Sequence, residues 1–137
     1  SSIAFEAHDT LDNDIPLTEG HFFKKDIQKE VNDFHACSGE RSGSFMQFTK
    51  KVFADGALSK DFKRGVLGLA CAHLTKCPYC IRGCVKDARS AGIPKEKMAE
   101  AINVAMVMAA GSAYAHTSIA METLMAINEK EKARAAV

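Results

Sequence analysis

No stretch of this chain alternates apolar and polar residues for long, and that absence excludes a sheet as its main architecture. Nor is there an excess of one charge: 18 Lys and Arg stand against 17 Asp and Glu, a net charge of +1. No long-range field therefore favours nucleic acid or an anionic membrane surface as a partner. Internal repeats, low-complexity tracts and linker-like stretches are missing too. Residues 1–20 hold neither the basic segment nor the apolar run of a secretory leader. Five cysteines is an odd count, which disfavours a secreted disulfide framework, so a reducing, cytoplasmic setting is expected.

What the chain does have is apolar spacing of three and four in nearly every segment, which reads as all-α. Its 137 residues fit a single compact domain of about six helices. At this size folding buries about 68–70% of the unfolded surface, so no zinc or disulfide staple is required. Residues 1–20 read as a polar N-terminal lead and residues 21–137 as the helical domain. Within that domain a first helix is expected from about Lys24 to Ala36 and a second from about Gly43 to Ala54, ending at Asp55-Gly56. Ser59 has the chemistry of an N-cap for a third, reaching about Leu74. Pro78 suits the first turn of a fourth, because its missing N–H would have no intrahelical partner there. Gly92 then suits a left-handed C-terminal stop. After Pro94 two more helices are expected, separated at Gly111 by a break or a close helix contact.

From Ala101 to Ile127 the only formal charge is Glu122. Length alone would allow a membrane span, but Asn103, Ser112, His116, Thr117, Ser118 and Thr123 dilute the run, and polar side chains are costly in hydrocarbon. The reading is a buried helix with more apolar surface than one small monomer covers, shared between copies in a homo-oligomer, with no membrane partner.

Chemistry concentrates at Cys77-Pro78-Tyr79-Cys80-Ile81-Arg82-Gly83-Cys84. Two thiols three residues apart at a helix start can close a short disulfide, and the positive end of the helix lowers a cysteine pKa there. Reducing a peroxide needs one cysteine to become a sulfenic acid and another to condense with it. It also needs a proton donor and a base, for which His73 and His116 are the available side chains. Cys84, one turn after Cys80, reads as a buried thiol, a second resolving thiol or a metal ligand. Cys37 and Cys71 read as ordinary thiols. Met106, Met108, Met121 and Met125 recur at helical spacing and read as packing.

The order Gly56-Ala57-Leu58-Ser59, Leu69-Ala70-Cys71-Ala72-His73, Cys77-Pro78-Tyr79-Cys80, Gly92 and Ala113-Tyr114-Ala115-His116 resembles the carboxymuconolactone decarboxylase superfamily in its alkyl hydroperoxide reductase D-like branch, over roughly residues 43–127. The resemblance implies an all-helical, trimeric or hexameric protein with the CxxC as a peroxidatic and thiol-exchange centre. It implies a peroxide or small-molecule substrate, a dithiol protein as reductant, and no organic cofactor. It also implies Cys80 as the peroxidatic thiol, whereas the helix dipole alone favours Cys77. That branch usually has a histidine four residues after the second cysteine and a glutamate twelve before the first; here those positions hold Cys84 and Gly65.

The expectation is thus a thiol-dependent peroxidase or thiol–disulfide oxidoreductase carrying Cys77, Cys80, His73, His116 and Cys84 at its site. Two alternatives are a non-catalytic or metal-binding helical oligomer of the same fold, and an enzyme of the lactone decarboxylase type. A tetrahedral zinc site is disfavoured, since three ligands within eight residues crowd one helix turn and no second CxxC exists.

Overall fold

The computed structural model describes residues 26–137, and no strand occurs among them. The polar lead at residues 1–20 and the first residues of the expected first helix lie outside that range. Contacts within the chain divide it into two units, one ending at Lys60 and one beginning at Asp61.

The first unit holds α1 (Gln28–Ser38) and α2 (Glu40–Val52). They are separated by Gly39 alone, whose φ of 60° lies in the left-handed region open to glycine. Its N–H donates to the His35 carbonyl at 3.0 Å, closing α1. The second helix begins three residues before the expected Gly43, which sits inside it. Neither helix contains a buried residue, and Phe34, Phe45 and Phe48 are all more than half exposed. The Lys60 N–H donates to Asp55 Oδ1 at 2.7 Å, so Asp55 satisfies the first donor of the next helix beside the expected cap position, Ser59.

From α3 (Lys60–Phe62) the chain enters the second unit at Asp61, passes through a π-helical turn (Lys63–Leu67), and continues as α4 (Gly68–Thr75). The π turn interrupts what the apolar spacing presents as one regular third helix; Gly65 and Gly68, three residues apart, are its trace in the sequence. Lys76 takes the left-handed conformation, with φ of 56° and ψ of 39°, and turns the chain into α5 (Pro78–Ser90). Pro78 stands in the first turn of α5 as expected. Gly92, at φ 74°, follows the last turn, also as expected.

The remaining residues form one helix, α6 (Lys95–Ala135), in place of the two expected. Gly111 neither breaks it nor marks a close contact within the chain, because a Cβ built there meets nothing within 4 Å. A single internal glycine costs only about 0.5–1 kcal/mol relative to alanine, too little to interrupt a helix with good formers on both sides.

The core of this unit lies where the π turn, α4, α5 and the first turns of α6 meet. Leu69, Ala72, Ala88, Ala101 and Ala105 are buried there, together with Gly65. Small residues bring the helices close: a Cβ on Gly65 would fall 3.1 Å from Ala88 Cα and 3.2 Å from Ala88 Cβ, with Ile93 Cδ1 nearer still. Arg64 Nη1 donates to Asp87 Oδ2 at 3.1 Å and ties the π turn to α5 at the surface.

Beyond Ala105 every residue of α6 is exposed, including Val107 at 69% and Tyr114 at 82%. The helix is long and apolar enough to cross a membrane by length and composition, with little of that stretch buried.

Candidate functional site

The site is built on the start of α5. Cys77 is its N-cap, in extended backbone geometry at φ −93° and ψ 106°, and this points its side chain back over the open N–H groups of the first turn. The Cys80 N–H donates to Cys77 Sγ at 3.2 Å. Sulfur thus occupies the place that a serine or aspartate oxygen takes in an ordinary cap. A thiolate accepts that bond better than a thiol does, so the geometry favours ionisation.

The two cysteines of the pair are driven apart. Hydrogen bonding from the Cys80 side chain, then from the Cys80 N–H, holds Cys77 below its ordinary value of 9.0; burial opposes this, and the Tyr79 N–H adds to it. The same bond to Cys77, followed by burial and the charges of Cys77 and Cys84, pushes Cys80 up to about 11. Of the pair, Cys77 is therefore the thiol that loses its proton first. This electrostatic asymmetry sides with the helix-dipole reading over the Cys80 assignment implied by the resemblance.

Cys84 lies one turn further along α5, half-buried against the small residues of α4. Its Sγ stands 3.1 Å from where a Cβ on Gly68 would be. Burial raises its pKa first, Asp87 raises it further, and Arg64 opposes both. A neutral thiol is the result at ordinary pH.

His73 is half-buried on α4, and its Nδ1 lies 2.8 Å from the Leu69 carbonyl oxygen. A carbonyl only accepts, so Nδ1 carries the proton and Nε2 keeps its lone pair in the neutral ring. His116 lies on the exposed part of α6, about 16 Å of helical rise beyond Ala105, the last buried residue of that helix. Among the described residues no hydrogen bond links either histidine to Cys77 or Cys80. The structure thus assembles Cys77, Cys80 and Cys84 on one helix, sets His73 on the preceding one, and leaves His116 away from the buried core of its own unit.

Gly65 explains one departure from the expected pattern. It is buried with Ala88 and Ile93 around it, so the position has no room for a glutamate side chain without moving α5. Among the described residues no three His, Cys, Asp or Glu side chains converge as metal ligands. Sequence reading missed the tie between His73 and Leu69, and Asp87 with Arg64 beside Cys84. The i, i+4 spacing of Leu69 and His73 and the i, i+3 spacing of Cys84 and Asp87 were the available signals.

The sequence profile of the carboxymuconolactone decarboxylase family matches residues 43–123, more than half of the chain. "Uncharacterized protein 4 in cox locus" of Paracoccus denitrificans is 49% identical over 81 residues, covering 59% of this chain and 72% of that protein. The crystal structure of a protein from Methanobacterium thermoautotrophicum, determined by a structural genomics consortium, superposes with a TM-score of 0.56 at 33% identity, covering 60% of this chain and 93% of that one. The helical fold and the matched segment together place this chain in the carboxymuconolactone decarboxylase family.

Proposed function

We propose that this protein is a thiol–disulfide oxidoreductase of the alkyl hydroperoxide reductase D-like type, reducing peroxides or exchanging with a partner's dithiol through Cys77 and Cys80. The observation that carries this reading is the Cys80 N–H bond to Cys77 Sγ at the start of α5, which favours one thiolate and one thiol three residues apart. The Cys77 thiolate attacks one peroxide oxygen, the O–O bond breaks, and the alcohol leaves after taking a proton. The Cys77 sulfenic acid is then attacked by Cys80, releasing water and forming the disulfide. A dithiol protein returns the two electrons by exchange. His73 supports proton transfer in this scheme through Nε2, the ring nitrogen not held by Leu69. His116 is the alternative relay, supplied from another copy.

The reading includes a homo-oligomer, a trimer or a multiple of it. Its support is the outer part of α6, whose large apolar side chains lie on all sides of the helix. A helix apolar all round belongs in an interior.

Peroxide treatment followed by mass spectrometry tests the chemistry. The tryptic peptide of residues 77–82 should lose two hydrogens, and Cys77→Ser or Cys80→Ser should abolish that change. His73→Gln should slow it roughly 10²–10⁴-fold, the usual worth of a positioned acid or base. A stable bridge mapped elsewhere, with residues 77–82 still reduced, would overturn the reading.

A further inference from the structure

Cys71 and Cys84 come from different helices and take no part in the exchange described above. Gly68 and Cys71 are three residues apart in α4 and share a face. Side chains on a helix lean toward its N-terminus, so the Cys71 thiol leans over the turn that contains Gly68. That space holds Cys84 Sγ, 3.1 Å from where a Gly68 Cβ would sit. With no side chain at Gly68, the sulfur from α5 enters the surface of α4 one turn from Cys71, near enough for a charge on Cys71 to raise the Cys84 pKa. Cys71 itself is exposed, and both residues are thiols. Cys84 also follows Cys80 by one helical turn.

We propose that Cys71 and Cys84 form a second dithiol, bridging α4 and α5, to which the Cys77–Cys80 disulfide is passed. The transfer rests on the thiol-exchange reading of Cys77 and Cys80; the existence of the pair does not. In the first step the Cys84 thiol loses its proton and attacks Cys80 Sγ. The Cys77–Cys80 bond breaks, and Cys77 leaves as a thiolate held by the α5 N–H groups. In the second step Cys71, deprotonated, attacks Cys84 Sγ, and Cys80 leaves and takes a proton. One disulfide is consumed and one formed, so no outside oxidant or reductant enters the transfer. Its outcome is to carry the oxidised pair from the start of α5 to the exposed Cys71, where a partner's dithiol can reach it, and to leave Cys77 and Cys80 reduced for another turnover.

Trypsin separates the three parts cleanly. Cuts after Arg64, Lys76, Arg82 and Lys86 release Cys71, the Cys77–Cys80 pair and Cys84 on different peptides. The full chain is oxidised with diamide or with peroxide, remaining thiols are blocked, and species running as single chains on a non-reducing denaturing gel are digested. With diamide, the wild type and the Cys77→Ser/Cys80→Ser double variant should both yield peptide 65–76 joined to peptide 83–86. With limiting peroxide, the bridge within peptide 77–82 should appear first and decline as the 65–76/83–86 link grows, and Cys84→Ser should abolish the decline. Absence of that link under diamide, in the wild type and the double variant alike, overturns the second dithiol. A link under diamide with no decline of the first bridge after peroxide overturns the transfer. A link under diamide with no bridge formed in residues 77–82 upholds the pair and refutes the peroxidase reading on which the transfer rests.

Discussion

Cys77 and Cys80 are chemically alike in sequence and unlike in the folded chain, because only one of them sits outside the helix with its sulfur over the open N–H groups. The consequence is a wide interval between their ionisations, with Cys77 below 9.0 and Cys80 at about 11. Alkylation measured against pH should therefore modify Cys77 first, at a midpoint below 9.0, and leave Cys80 slow until well above it. Removing the Cys77 sulfur in Cys77→Ser takes away the largest cause of the Cys80 shift, so Cys80 should then titrate nearer to 9.0. Peptide mapping of the modified site reads both results, and equal reactivity of the two cysteines at about pH 8 would refute the asymmetry. The linkage to stability has opposite signs for the two groups. The Cys77 thiolate favours the folded state at high pH, and this support is lost as pH falls through its lowered pKa. The Cys80 thiol favours the folded state below 9.0, and that support is lost as pH rises towards about 11.

Two glycines at comparable places in the sequence pattern do opposite things in the helices. Gly92 ends α5 at φ 74°, a conformation that costs an ordinary L-residue about 1–2 kcal/mol. Gly111 lies inside α6 in right-handed geometry, where glycine is about 0.5–1 kcal/mol worse than alanine. At neither position would an added methyl group meet a neighbour within 4 Å, so conformation alone sets the sign within one chain. Gly92→Ala should destabilise the protein and Gly111→Ala should stabilise it, each by about 1 kcal/mol, in urea denaturation. A loss of stability in Gly111→Ala would place another copy against that point of α6.

Taken as one molecule, the chain has a small interior and a long apolar helix that mostly lacks cover. Among the described residues, Leu69 is the one large side chain fully buried, whereas Val104, Met106, Val107, Met108, Tyr114 and Ile119 are all more than half exposed. Monomeric soluble proteins rarely expose an apolar patch above about 300–600 Å². Burying each such side chain is worth about 1.5–3 kcal/mol, and this is the driving force on which the proposed homo-oligomer rests. Light scattering at micromolar concentration should give a mass several times the 14.8 kDa of one chain. Val107→Glu with Leu124→Glu should shift it towards the single-chain mass, because a carboxylate in an apolar interface must be desolvated without a partner. A single-chain mass for the wild type would refute the homo-oligomer.

The all-α class, the start of α5 at Cys77-Pro78 and its end at Gly92 were legible in the order of residues, because caps and helical periodicity are local physics. So was the family, through the spacing of the CPYC and its flanking motifs. The continuity of α6 through Gly111 was not, since the expected break weighed one glycine against too short a stretch of its surroundings. The π turn at Lys63–Leu67 and the buried state of Gly65 depend on how closely α5 approaches, a distance fixed by Ala88 and Ile93 from elsewhere in the chain. Sequence could name five candidate site residues but could not rank them. Which thiol ionises first follows from where the Cys80 N–H points, and the place of the Cys84 sulfur follows from the packing of α5 across Gly68. Local chemistry selected the helices and the motif; the contacts between helices decided what each thiol touches.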